Sequence, residues 1–509
     1  MGERDRSTQH NTPEAGWRSS PWSRYFLPVC IGACLAMGAA WAIVVPLGQA
    51  PDEPAHFRYA LFLAQHGRLP DYYADSAGYE SYQAPLYYTL AAAVGKLAGI
   101  GAGSPAQGAH ALPAALQASN EEIIARLPHY PTVRAGQHAL ALDALRQAAG
   151  FTPAQRRAWL VMRLLTVLLG ALGLFVGYRI VCLIFPERPW LAATVAAVLA
   201  TQPMYTHISA AVGNDPPTVV AIGLTMLLAL LVLRDGPTPR RAALLGLALG
   251  AGMLTKDSAN AALPAALLAL AWAAGRRHEP ERADTLLTDL ARRLAAVDWA
   301  KFARAAGPAL GVALAVGGWW YVRNALLYGS PQHFPANVEK QVGWEIYLAQ
   351  PAALWQVLRI AVPMAFRNFW AGFAWTNIAV APALYWLLLI ACLAAVPGLL
   401  LLIGDARAGR LGWSVLQVRA FWLVLLTIAL LKFAVLAYIL TIDLGGGSQG
   451  RYLFPVLFGM VMVWGLGVGR VLPERARGAL PFVVGAALLA LNLYCLLGVV
   501  APFYRAVGV

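Results

Sequence analysis

Long uncharged stretches alternate with short polar turns along nearly the whole chain, and the first, from Tyr25 to Leu47, carries no charged side chain. Apolar runs of roughly 17 to 25 residues are long enough to cross a bilayer as helices. They recur near 159–185, 190–211, 216–233, 240–255, 258–275, 305–327, 381–403, 412–441, 452–470 and 479–503. The pattern predicts an all-α polytopic membrane protein with about eleven crossings. A further apolar stretch, Ala84 to Ile100, is short, interrupted by Lys96 and followed by a long polar segment. We expect it to be a juxtamembrane or re-entrant helix, because a crossing there would put every later basic loop on the opposite face.

Composition agrees with this class. Of 509 residues, 59% are hydrophobic and 13% charged, and the mean hydropathy is +0.57; soluble domains carry about 25% charge. The net charge of +14 comes largely from arginines in short loops. That placement suits anionic lipid headgroups and the positive-inside rule, and it excludes a nucleic-acid footprint. The five cysteines, Cys30, Cys34, Cys182, Cys392 and Cys495, all fall in apolar spans and read as small core residues. Before the first span lies a polar, Arg-bearing tail without a small-residue cleavage site, so an uncleaved anchor is expected.

The basic loops orient the chain with its N-terminus cytoplasmic. The expected organisation is a tail, 1–24, then a core module, 25–275, that includes a large external loop at 48–158. A cytoplasmic amphipathic segment, 276–304, follows, with a helix at 281–302 on the inner leaflet. The second module, 305–509, contains an irregular external region at 328–380 rich in Trp and Phe.

This threading gathers unusual polar groups on the outer face. Asp52, Glu53 and His56 follow the first span, and Tyr82, Gln83, Tyr87 and Tyr88 begin the juxtamembrane helix. Asn214 and Asp215, Lys256 and Asp257, Arg323 and Asn324, Arg367 and Asn368, and Gly445 to Tyr452 with Gln449 and Arg451 occupy the other outer turns. Each has a plainer reading. Asp or Asn before Pro is a common helix start, although capping accounts for one acid of the Asp52–Glu53 pair and not two. Arg323 beside Trp319, Trp320 and Tyr321 fits an aromatic belt with a snorkelling cation, and Lys256 fits an anchor. His207 reads as a satisfied polar residue between helices. The Gly445–Gly447 run lacks the Gly-Lys-Ser/Thr ending of a phosphate loop.

A carboxylate opposite cations at a membrane edge suits sugar transfer from a lipid phosphate. The leaving group is already anionic and needs positive charge rather than a general acid. An acceptor hydroxyl needs a carboxylate base, for which Asp52 is the candidate; Lys256, Arg323 and Arg451 are the candidate phosphate clamps. Glu53 and His56 are placed to orient Asp52 or to hold a divalent cation, and the residues leave that choice open.

At these positions the sequence resembles the GT-C superfamily of membrane glycosyltransferases, in particular the DUF2142 type and the neighbouring dolichyl-phosphate-mannose-protein mannosyltransferases. The resemblance is carried by PDEPAHF at 51–57, YQAPLYY at 82–88, RLLTVLLGAL at 163–172 and GND at 213–215. It continues through LTK at 254–256, WWYVRNALLYGSP at 319–331, FWAGFAW at 369–375 and QGRYLFP at 449–455. It implies a GT-C fold, a polyprenyl-phosphate-linked sugar donor, a glycan, lipid or protein acceptor, and inversion at the anomeric carbon on the periplasmic or extracellular face. It implies that Asp52 is the catalytic base and that Asp215 helps to bind metal or donor, with Asp52, Asp215 and His56 as candidate metal ligands. His56, Tyr82, Gln83, Tyr88, Asn214, Asp215, Asn324, Gln449 and Tyr452 are then expected to line the substrate site. Two departures stand out. The pair after the third span is Asn-Asp rather than Asp-x-Asp, and Gln83-Ala84-Pro85-Leu86 stands where related aminoarabinose transferases have Lys-Pro-Pro-Leu. A phosphate contact made there by lysine would pass to Lys256 or Arg451. A transporter or flippase for lipid-linked glycans, which needs polar groups at the bilayer midplane, and a non-catalytic assembly protein remain as rivals.

Overall fold

The structure is a computed structural model and describes residues 22–101, 114–125, 127, 135–275, 297–332, 343–443 and 448–509. It is built almost wholly of helices: α1 (Trp22–Val44), α2 (Glu53–His66), α3 (Leu86–Leu97), α4 (Ala135–Ala149), α5 (Pro153–Ile184), α6 (Pro189–Thr201), α7 (Pro203–Ser209) and α8 (Asp215–Asp235). There follow α9 (Pro239–Met253), α10 (Leu263–Ala273), α11 (Trp299–Tyr328), α12 (Pro351–Trp370), α13 (Pro382–Arg407), α14 (Val415–Thr441), α15 (Gly450–Val471) and α16 (Glu474–Val507). One small hairpin pairs Gly372–Phe373 antiparallel with Ile378–Ala379.

Among the described residues, eight helices are long and apolar enough to cross a membrane: α1 (from Arg24), α5, α8, α11, α13, α14, α15 and α16. The chain is therefore a polytopic helical membrane protein. The other three expected crossings are shorter helices. The run at 190–211 breaks at Gln202, because Pro203 removes an N–H and keeps Gln202 extended (φ −65°, ψ 121°). The Gln202 side chain then caps the Tyr205 N–H and donates to the Phe369 carbonyl. The runs at 240–255 and 258–275 become α9 (15 residues) and a 3-10 turn leading into α10 (11 residues). The stretch at 84–100 is α3, a helix of 12 residues.

Two further expectations change. The region at 328–380 is not irregular throughout: α12 is a regular helix of 20 residues, started by Pro351. The amphipathic helix expected at 281–302 lies mostly outside the described residues, and 299–302 open α11 instead. Helices on either side of the 276–304 boundary interleave, with α11 packed on α9, α16 on α6, and the first turns of α15 on α8. The helix α13 leaves Trp386, Leu387, Ile390 and Leu400 exposed, the surface a lipid-facing helix presents.

A second apolar cluster lies apart from the main core, where α2 and α3 pack over the first turns of α5. The rings of Phe57 and Trp159 stack at 4.1 Å, Phe151 meets both edge-on, and Tyr59, Tyr87 and Tyr88 fill the remainder. Beneath it sits an ion pair with essentially no exposure. Arg163 Nε and Nη2 bond Glu53 Oε1 and Oε2 at 2.6 and 2.7 Å. Trp159 Nε1 and the backbone N–H groups of Val212 and Gly48 also donate to the Glu53 carboxylate. The remaining guanidinium donors reach the carbonyls of Ala42, Val45 and Pro46 at the end of α1. One carboxylate and one guanidinium thus tie α1, α2, α5 and the turn before α8 together.

Removing one partner of a fully buried pair leaves an uncompensated charge, at a cost of about 3–5 kcal/mol. We expect Arg163→Met to lower the unfolding temperature of the detergent-purified protein sharply. An unchanged melting curve would mean that the pair does not hold these helices.

Candidate functional site

The turn between α1 and α2 separates two adjacent acids. Asp52 adopts φ 65°, ψ −2°, the left-handed region that a non-glycine residue enters only when its surroundings enforce it. That twist sends Glu53 inward to Arg163 and leaves Asp52 facing the outer turns, with a quarter of its side chain exposed. Asp52 makes no side-chain cap to α2, and Asn214 makes none to α8, so neither residue serves as a plain N-cap.

Asp52 begins a chain of alternating charges drawn from four segments. Its Oδ2 lies 2.6 Å from Arg451 Nη2. Arg451 Nη1 is 3.6 Å from Asp215 Oδ2, and Asp215 Oδ1 is 2.5 Å from Lys256 Nζ. An aromatic ring, Tyr452, joins them here, with Lys256 and Arg451 over its face at 5.7 and 5.6 Å. Arg451 is delivered by the 3-10 turn Gly450–Val456, which packs on α12. Gly450 is required there, since a side chain would collide with the Ala365 carbonyl and the Phe369 N–H. Asn368 adds a bond from its Nδ2 to the Ser448 carbonyl at 3.0 Å.

The opposite wall is the loop before α3. Gly78, at φ 87°, lies tight against Ala55 of α2, and the following residues enter the site. Tyr79 Oη donates to Asp52 Oδ1 at 2.8 Å. Gln83 Nε2 donates to Glu80 Oε2 at 2.6 Å, while its Oε1 accepts from Asn214 Nδ2 at 2.8 Å. His56 Nδ1 is 2.7 Å from Tyr88 Oη, and Tyr88 stacks on Tyr59.

These surroundings pull the acids apart. Burial raises the Asp52 carboxyl, but the Arg451 charge and the Tyr79 hydrogen bond outweigh it and hold Asp52 below the ordinary carboxylate range. Glu80 goes the other way: burial, and then the nearby Asp52 charge, push it up to about 8 despite its bond from Gln83. Burial lowers His56 to about 4, so the ring is neutral at pH 7.

Of the residues singled out in the sequence, Asp52, His56, Gln83, Tyr88, Asn214, Asp215, Lys256, Arg451 and Tyr452 come together here. Tyr82 is half-buried beside them, edge-on to Tyr72. Gln449 precedes the Arg451 turn, and its Oε1 is buried with no hydrogen-bond partner among the described residues. Glu53 does not join the cluster; all its contacts are those of the buried pair. Arg323 is also elsewhere, donating to the Pro70 carbonyl at 2.6 Å and to Asn324 at 3.3 Å, over the rings of Trp320 and Tyr328. Asn324 is buried beneath it. His207 is not fully satisfied as expected: its ring lies between Trp41 and Phe373, and its Nε2 has no hydrogen bond among the described residues.

No group of three or more His, Cys, Asp or Glu is placed to hold a metal among the described residues. Arg451 stands between the Asp52 and Asp215 carboxylates, and His56 gives its Nδ1 to Tyr88, so a divalent ion would have to displace a cation already there. Tyr79, Glu80, Trp159 and Arg163 are the residues that sequence reasoning missed. Tyr79 and Glu80 had a signal, since a tyrosine and an acid stand one residue before the YQAPLYY run; Arg163 is hidden at the head of an apolar stretch.

Among solved structures, ArnT from Cupriavidus metallidurans bound to undecaprenyl phosphate is similar with a TM-score of 0.46 at 14% identity, over 96% of this chain and 74% of that one. The Archaeoglobus fulgidus oligosaccharyltransferase in its apo form gives 0.42 at 11% identity, over 97% of this chain and 56% of that one. Apo ArnT gives 0.33 at 15% identity, over 90% and 77%. Likenesses this distant assign neither fold nor activity. No curated protein matches the sequence. The model of the family described as "Predicted membrane protein (DUF2142)" matches residues 35–460, and the chain belongs to that family.

Proposed function

We propose that this protein is a GT-C-type membrane glycosyltransferase that moves a sugar from a polyprenyl phosphate to an acceptor hydroxyl at the outer membrane face. The observation that carries the reading is the pairing of a partly exposed aspartate with a buried arginine, and of a second acid with Lys256, at the ends of membrane helices. A base and the cations for an anionic leaving group stand within one cluster.

In the proposed step Asp52 takes the proton of the acceptor hydroxyl. The acceptor oxygen forms a bond to the anomeric carbon, and the bond from that carbon to the phosphate oxygen breaks. Its electron pair leaves on the polyprenyl phosphate, whose charge Arg451 and Lys256 stabilise. One in-line displacement inverts the anomeric centre. Asp215 holds Lys256 and Arg451 in place, and Glu80, kept neutral, is a hydrogen-bond donor beside the base. Tyr79 aims Asp52. Glu53 acts through the turn it anchors and touches no substrate, and Arg323 braces the 68–73 loop rather than the phosphate. The side of the membrane follows from the basic loops, which the reading places in the cytoplasm.

Asp52→Asn tests the base. Asparagine is tolerated at positive φ, so the turn should survive. Losing a general base costs about 10²–10⁴-fold in rate. We expect transfer from a radiolabelled polyprenyl-phosphate sugar in membranes to fall by that factor while the protein still elutes as a folded species. Wild-type rates in this variant would remove Asp52 from the chemistry.

Glu80 has a pH signature. Its folded value, about 8, lies above the ordinary glutamate value of about 4.3, so between these the folded state holds a proton that the unfolded chain has lost. Stability from this group is therefore lost as pH rises through that window. Thermal unfolding should show Glu80→Gln gaining on wild type from pH 5 to pH 8; a gap independent of pH would mean that Glu80 is charged.

A further inference from the structure

Every charge in the cluster is already matched. Asp52 has Arg451, and Asp215 has Lys256 with Arg451 at longer range. Among these four groups an incoming phosphate therefore finds no unpaired cation, and to be held by one of them it must take that cation from an acid. The two pairs are not equally hard to open. Lys256 and Asp215 meet at 2.5 Å with side chains 20% and 8% exposed. Breaking that pair leaves a buried carboxylate with only the more distant Arg451, at 3.6 Å. Asp52 is the most exposed of the four groups, and it keeps a second donor, Tyr79, when its cation goes. The Arg451 backbone is wedged against α12 by Gly450, so only its side chain is free to turn. Its Nε makes no hydrogen bond among the described residues, leaving one guanidinium donor uncommitted.

We infer that Arg451 masks Asp52 in the resting protein and passes to the phosphate of the lipid donor, so that the base is released only once the donor is seated. Resting on the proposed donor reading, this makes the site ordered. Asp52, pinned by Tyr79 alone, faces the acceptor as a stronger base after Arg451 leaves it. Without the donor each carboxylate oxygen already accepts one hydrogen bond, and the adjacent Arg451 charge weakens the basicity of the lone pairs that remain. The ion pair is thus exchanged and not merely supplemented. Tyr79 is the positioning residue that survives the exchange.

Binding of undecaprenyl phosphate to the full chain in nanodiscs, followed by native mass spectrometry, tests this through a double-mutant cycle. If Asp52 competes with phosphate for Arg451, Asp52→Asn binds the probe about tenfold more tightly than wild type, and Arg451→Gln binds it more weakly. Decisively, Asp52→Asn gives no gain in the Arg451→Gln background, because nothing is left to compete for. A gain of equal size in both backgrounds overturns the exchange, since simple repulsion between carboxylate and phosphate would then explain it, and the donor reading would stand. An Asp52→Asn variant no tighter than wild type has the same consequence. No binding by any variant, wild type included, overturns the donor reading and the exchange together. Should Arg451→Gln fail to fold, a wild-type structure with the probe decides. Arg451 on the phosphate and beyond about 4 Å from Asp52 supports the exchange, and an intact pair overturns it.

Discussion

A single buried ion pair sets the geometry of everything at the outer end of this protein. Glu53 and Arg163 would each be prohibitively costly in an apolar interior alone, and together they are tolerable only with their remaining valences filled. The chain fills them with the last carbonyls of α1, an indole on α5 and the N–H groups of Gly48 and Val212. Three helices and the turn before a fourth must therefore meet at one point. The stacked rings of Phe57 and Trp159 seal that point from water and strengthen the pair within it.

The consequence for the site lies one residue away. With Glu53 drawn inward and α2 starting at once, the chain can only turn through a left-handed conformation at Asp52. The strain is borne by the residue that faces the cations, an arrangement recurrent where rigidity of aim matters more than backbone comfort. A second device guards the same turn. Trp375, in a tight hairpin where Ala374 and Thr376 also have positive φ, donates from its indole to the Gly48 carbonyl. Gly48 is thereby gripped on both sides, by Trp375 at its carbonyl and by Glu53 at its N–H.

Much of the cluster was legible in the chain. Asp52, Asp215, Lys256 and Arg451 stand at the ends of apolar runs, where acids and bases are conspicuous because so little else is charged. Their separate loops converge because each adjoins one helix of the same bundle. The roles within the acidic pair were not legible: PDEP carries two carboxylates with no local sign of which turns inward. Arg323 was equally ambiguous, since a cation beside three aromatic rings reads the same whether it clamps a phosphate or, as here, a loop carbonyl. The helix break at Gln202 and the regular α12 were missed because hydropathy counts apolar residues and is blind to where Pro redirects them.

From its sequence alone the protein is determined to be a polytopic membrane protein with acids and cations at helix ends, because bilayer thickness and the expense of buried charge act on composition and spacing directly. Which acid pairs with which cation was decided only in three dimensions. Arg451 and Asp52 lie about four hundred residues apart in the chain, and a contact at that separation depends on how the helices pack, through Glu53 and Arg163 above all, and on no local pattern.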